Sequence, residues 1–292
     1  MSQVNLRTRL GTRHTVDTPI GRIHYYERGQ GPVLVFVHGV IANADLWNEV
    51  VPRLADSHRC VTLDLPLGSH SEPAAPGADL SPGSIAAVVA ETLAQVAPQG
   101  CVLVGNDSGG VISQLVAVQA PERLNGLVLT SCDAFDNFLP WALRYTQLLA
   151  RIPGGVWVMT QALRLPPVRA LPLAFGWLTK QPVPAAVWRS FLEPSRSRSG
   201  IRRDLGKFLR GISTKYTRRT AVELRRFDRP ALLAWADTSR IFPIEHAHRL
   251  AERMPDAVVR PISDSYALVP LDQPESLARE VRSFVADRIP ND

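Results

Sequence analysis

Cysteine is scarce: Cys60, Cys101 and Cys132 are the three in a chain of 292 residues. Their odd number and the lack of a Cys-x-x-Cys spacing exclude a disulfide framework and a thiolate metal site. Each lies in or beside a β-branched apolar run, where a free thiol behaves as a small buried hydrophobe. Unbroken apolar runs of membrane-spanning length are missing too, and the opening segment, Met1 to Thr15, lacks the apolar stretch of a signal peptide. A cytoplasmic protein with no membrane partner is the expectation. The net charge is +6, carried mostly by arginine, and the basic residues thicken between Arg189 and Arg226 without interleaved aromatics or a nucleic-acid module. That density is read as a solvated helical face, with an anionic ligand or a membrane surface as the alternative, and nucleic acid is not expected as a partner.

What is present is ordinary soluble usage, 45% hydrophobic and 21% charged, with 24 prolines that point to many loops. The length suits one α/β domain carrying an inserted lid. Apolar runs bounded by turn residues alternate with helical segments, the signature of a mostly parallel sheet covered on both faces. Arg13 to Val16 and Arg22 to Tyr26, joined by Thr18-Pro19-Ile20-Gly21, read as a hairpin. Val33 to His38, Cys60 to Leu65, Cys101 to Gly105 and Leu124 to Ser131 follow as strands, with Gly109 to Ala120 helical. Between Asn137 and Arg226 tryptophan-, leucine- and proline-rich helical stretches replace the alternation, which returns with Ala231 to Ala236, Val258 to Ile262 and a closing helix from Pro274 to Ile289. The division expected is residues 1–136 and 227–292 as the core and 137–226 as a helical cap.

The chemistry points to one turn. After the strand Cys101 to Gly105 comes Asn106-Asp107-Ser108-Gly109-Gly110 and then a helix. A nucleophile on so sharp a strand-to-helix turn needs small residues two before and two after it, because side chains there collide with the neighbouring strand and helix. Asp107 has glycine at both offsets, whereas Ser108 has Asn106 upstream. The competing structural role for Asp107 is to cap the helix that follows.

With His38-Gly39, Asp64-Leu65-Pro66, Pro121-Glu122-Arg123-Leu124 and Asp272-Gln273-Pro274-Glu275, this turn resembles the α/β-hydrolase superfamily from about residue 20 to the end. Within it the chain is similar to the branch of haloalkane dehalogenases, fluoroacetate dehalogenases and epoxide hydrolases, whose elbow nucleophile is aspartate. The resemblance implies an α/β-hydrolase fold with an inserted helical cap. It also implies carboxylate attack on carbon, an alkyl-ester intermediate, and its hydrolysis by histidine-activated water. The oxyanion would be held by the backbone N–H groups of Ser108 and Val40.

The pattern breaks at the base. Tyr266-Ala267 stands where the family has Gly-His, and Ser239 stands where its acid is usual, with Asp237 displaced by two. Asp133, after the sixth strand, occupies the alternative acid position. His38 and His70, on loops at the carboxyl edge of the sheet, are the histidines placed to substitute as base or to meet substrate. Asp107 and Asp133 close together would repel, raising one pKa toward neutrality and suiting acid/base chemistry without a covalent step. Trp141, Tyr145 and Tyr216 are candidate substrate-binding groups in the cap, with Tyr266 beside them, and a tyrosine hydroxyl there can donate to an epoxide or carbonyl oxygen.

The leading expectation is an enzyme acting through Asp107 on a small apolar organic molecule, as an epoxide hydrolase does or, with Ser108 replacing the dehalogenases' tryptophan, less well as a dehalogenase does. A non-hydrolytic lyase, cyclase or isomerase and a catalytically silent ligand-binding relative are the alternatives. No metal or organic cofactor is expected, and the chain is expected to be a monomer or homodimer.

Overall fold

The computed structural model describes residues 6–289, so residues 1–5 of the segment read for a leader lie outside it. Eight strands form one sheet in the order β1-β2-β4-β3-β5-β6-β7-β8. They are β1 (Thr12–Thr18), β2 (Gly21–Arg28), β3 (Val33–Val37), β4 (Arg59–Asp64), β5 (Cys101–Asp107), β6 (Leu124–Cys132), β7 (Ala231–Ala236) and β8 (Ala257–Ile262). The β1–β2 hairpin and the β2–β4 pair are antiparallel, and every pairing from β4 to β8 is parallel. The central strands read as unbroken Val/Leu runs because helices cover both faces, so alternation has no solvent side to serve. β5 and β7 are accordingly buried along their whole length.

Among the described residues the helices are α1 (Val51–Leu54), α2 (Pro82–Val96), α3 (Ser108–Gln119), α4 (Tyr145–Arg151), α5 (Gly155–Ala162), α6 (Pro166–Arg169), α7 (Ala185–Ser197), α8 (Ser199–Gly211), α9 (Thr214–Glu223), α10 (Ile244–Ala251), α11 (Val269–Asp272) and α12 (Pro274–Arg288). None is long and apolar enough to cross a membrane. The segment between β6 and β7 carries α4 to α9. Within the segment expected as a cap, α4, α5, α7 and α8 pack on one another, while α9 packs on α3. Two buried polar clusters clasp cap to core. Asp204 on α8 accepts from the Ala74 backbone and meets His70 Nε2 at 3.2 Å. Asn43 Nδ2 donates to the Ser190 carbonyl on α7 at 3.1 Å, and the Ser190 hydroxyl donates to Asp45.

Candidate active site

β5 ends on Asp107, which adopts φ 55° and ψ −132°, a backbone conformation an L-residue holds only under strain, and α3 begins at the next residue. The glycines make this possible. A Cβ on Gly105 would lie 2.5 Å from Ser113 Oγ and 2.7 Å from the Gly109 carbonyl oxygen; one on Gly109 would strike the Val37 and His38 carbonyls; one on Gly110 would strike Cys132. Gly39 serves the carboxyl itself, since a Cβ there would overlap Asp107 Oδ2. The turn is therefore built to admit one side chain, and that side chain is Asp107.

Its carboxyl makes no capping hydrogen bond to α3, so the role of helix cap is not the one it plays. It faces a cavity of about 50 Å³ whose other walls are apolar or weakly polar: Val40 and Ile41 from the core, and Leu143, Met159, Phe175 and Leu178 among those from the cap. Burial pushes the Asp107 carboxyl up to about 7, against the opposing pull of the neighbouring Ser108 backbone and hydroxyl and of the Val40 backbone. Val40 lines the cavity beside Asp107, and Ser108 is the first residue of α3.

Asp133 follows β6, whose Cys132 is the register partner of Asp107. It is fully buried, and neither carboxyl oxygen has a hydrogen-bond partner among the described residues. Burial first and the Asp107 charge second hold its pKa well above the carboxylate range. Of the two carboxyls, only Asp107 is part of the cavity wall.

Ala267 is buried beside the elbow: Asn106 Nδ2 donates to the Ala267 carbonyl at 2.9 Å and to that of Thr130 at 3.0 Å, pinning the loop down. No imidazole projects from that position, and no histidine is among the residues lining the cavity. Ser239 has a local structural task, accepting from the Phe242 backbone at 3.2 Å.

Several expected contacts are corrected by the geometry. His38 does not reach the cavity: its Nδ1 is 2.9 Å from the Gly39 carbonyl, its Nε2 accepts from the Leu65 backbone at 2.9 Å, and burial pulls the imidazole down to about 4. His70 is likewise occupied, by the Gly68 backbone and Asp204. Trp141 is 68% exposed and meets Trp177 edge-on, outside the lining. Tyr216 packs over Gly83 at the start of α2, away from the cavity. Tyr266 turns outward, its ring under Arg240 and Lys180. Tyr145 does line the cavity, but its hydroxyl donates to the Leu173 carbonyl at 2.7 Å and so presents ring rather than proton.

Residues missed in the sequence are the apolar walls. Leu139, Leu143 and Thr146 recur at spacings of four and three, a face that reads as ordinary core until the cavity beneath it is seen. Ile41, a β-branched residue at φ 53°, is the other strained position facing Asp107, and its sequence context carries no sign of it.

Known proteins share this fold. Residues 32–274 match the family model of the alpha/beta hydrolase fold. Over 286 residues the chain is 26% identical to an uncharacterized hydrolase, YugF, of Bacillus subtilis, covering 94% of this chain and 97% of that protein. It is 25% identical over 280 residues to haloalkane dehalogenase 2 of Mycobacterium bovis, covering 91% and 92%. A solved structure of an alpha/beta hydrolase fold protein from Burkholderia ambifaria superposes with a TM-score of 0.75 at 20% identity, covering 92% of this chain and 97% of that one, a likeness of fold. With a matching family model over most of its length, the eight-stranded sheet and the strained elbow, the chain belongs to the alpha/beta hydrolase fold family.

Proposed function

We propose that this alpha/beta hydrolase acts on a small apolar organic molecule through the Asp107 carboxyl, with attack on an epoxide or carbon–halogen carbon as its first step. The observation that carries this reading is a single carboxyl, presented at a glycine-cleared strained turn, facing an apolar cavity. A carboxylate oxygen forms the C–O bond of an ester as the epoxide C–O or carbon–halogen bond breaks, and the leaving alkoxide or halide takes the electron pair. The Ser108 and Val40 amides suit the oxyanion that forms when water later adds to the ester carbonyl. The similarity to a haloalkane dehalogenase supports the same chemistry class.

The second step lacks its usual base, so the ester is expected to persist; losing a general base slows a step by about 10²- to 10⁴-fold. A second reading follows from Asp107 alone: with its carboxyl pushed up to about 7 by burial and facing the cavity, it can move a proton as acid or base in an elimination or isomerisation with no covalent step. Intact mass spectrometry together with product analysis, after incubation with a panel of small epoxides and haloalkanes, separates the two. An added mass equal to the epoxide, or to the haloalkane less hydrogen halide, supports attack by Asp107. Absence of both adduct and product across the panel removes the covalent reading.

A further inference from the structure

Among the described residues ten large apolar side chains are exposed, and nine of them lie between Trp141 and Leu173 on the cap. Trp141, Tyr145, Leu148 and Ile152 recur at spacings of four, three and four, so they form one outward stripe along α4 and its flanks, while Thr146 and Ala150 face inward. The Tyr145–Leu173 hydrogen bond and the Trp141–Trp177 ring contact join the stripe to the 171–177 loop. Trp157 and Val158 add exposed apolar surface on α5, which packs against α4. Monomeric soluble proteins seldom expose so continuous a patch without a partner.

The charge around it has one sign. Residues 137–192 contain no aspartate or glutamate. Arg144, Arg151 and Arg164 are exposed in this stretch and form no salt bridge among the described residues. Arg144 and Arg151 sit one position before Tyr145 and Ile152, at the edge of the apolar stripe. Of the later arginines, Arg196, Arg203, Arg218 and Arg219 are paired with Glu193, Asp204, Asp136 and Glu223. The other eight cations between Arg189 and Arg226 form no salt bridge among the described residues, so the positive excess begins at the apolar face and continues beyond it.

We infer that this face of the cap docks on an anionic phospholipid bilayer, with the apolar stripe in the acyl boundary and Arg144, Arg151 and Arg164 against the phosphates. Apolar residues flanked by unpaired cations are what an interfacial surface requires. A second copy of the chain is a poor occupant, because it would bring two cationic faces together with no acidic residue in residues 137–192 to meet them. The expectation of no membrane partner rested on the lack of a spanning run, and surface docking needs none. Tyr145 belongs both to the stripe and to the cavity wall. A lipid-dissolved substrate would therefore enter directly beneath the docked face, an extension that rests on the reading of Asp107.

Co-sedimentation of the full chain with vesicles tests the docking itself. The chain is expected to pellet with mixed phosphatidylcholine–phosphatidylglycerol vesicles, to pellet weakly with phosphatidylcholine alone, and to be released by salt. Changing Arg144, Arg151 and Arg164 together to Gln is expected to weaken binding to the mixed vesicles roughly 100-fold. Trp141→Ser, Leu148→Ser and Ile152→Ser, combined at positions already exposed, should abolish pelleting while leaving the fold and its circular dichroism intact. Asp107→Asn should pellet like the wild type, so failure of the catalytic reading and failure of docking are told apart. A chain that stays in the supernatant with mixed vesicles overturns the inference, as does equal pelleting of all variants. A dimer seen by light scattering that the serine variant dissociates would also overturn it, since a second copy would then cover the face.

Discussion

Asp107 combines strain, burial and charge in one residue, and each has a measurable consequence. Its folded pKa, about 7, lies above that of an exposed aspartate, so the folded protein binds an extra proton between roughly pH 4 and 7. Stability from this group is therefore fully present below about pH 4 and lost as pH rises through 7, a difference of order 4 kcal/mol. Asp107→Asn removes that ionisation: in urea unfolding the variant's decline across this window should be shallower than the wild type's, with the part due to buried Asp133 remaining, and the variant should be more stable than the wild type at pH 8, while any ester formation or turnover disappears. A wild-type stability that does not fall between pH 4 and 7 would contradict the raised pKa. Ala267→His is expected to lower stability by about 1–3 kcal/mol, because the site is closed around a methyl group. If the ring is accommodated, it should convert a persisting ester into product, which mass spectrometry resolves as loss of the adduct with time.

At the scale of elements, the strand-turn-helix is held by close approach of backbones. Gly105→Ala is expected to cost about 1–3 kcal/mol in chemical denaturation, since its Cβ must displace Ser113 and the Gly109 carbonyl; a neutral result would mean the turn is looser than its contacts indicate. This part of the molecule was legible in the sequence because the rule is local and steric: Gly105, Asp107 and Gly109 state it within five residues. The strands were legible from their apolar runs, though their ends were not: β5 continues past Gly105 to Asp107 and β6 past Ser131 to Cys132. Side-chain direction was not. Tyr266 and Trp141 lie near the site in sequence and point away from it, a choice made by Arg240 and Trp177, which come from distant segments. The assignment of α9 was equally hidden, because an amphipathic helix shows that it has a buried face and not which body buries it.

Over the whole molecule, buried polar contacts tie the segment between β6 and β7 to the loops of the sheet. Burial pushes the Asp204 carboxyl up, but hydrogen bonds from His70, Arg203 and the Ala74 backbone prevail and hold it below the usual carboxylate range. Its contribution is thus present above about pH 4 and lost as pH falls through its folded pKa. Asp204→Ala, which strands His70 and the Ala74 amide, is expected to destabilise the protein by about 3–5 kcal/mol at neutral pH, read in thermal or urea unfolding, with the difference shrinking in acid. The cavity's walls come from both bodies and were invisible as a set in the sequence, since Leu143, Met159 and Phe175 look like core residues of separate helices until the fold assembles them. Hydrogen exchange should report the division, with amides of β3, β5 and β6 protected longest and those of residues 152–184 exchanging first.

The central claim, that the Asp107 carboxyl meets the cavity as a reactive group, is tested most directly by peptide mapping after exposure to one small epoxide across a range of pH. The predicted result is a single ester on the peptide holding Asp107, absent from Asp107→Asn, with a labelling rate that rises through about pH 7 as the carboxylate forms. Labelling spread over surface carboxylates and equal in the Asp107→Asn variant would contradict it.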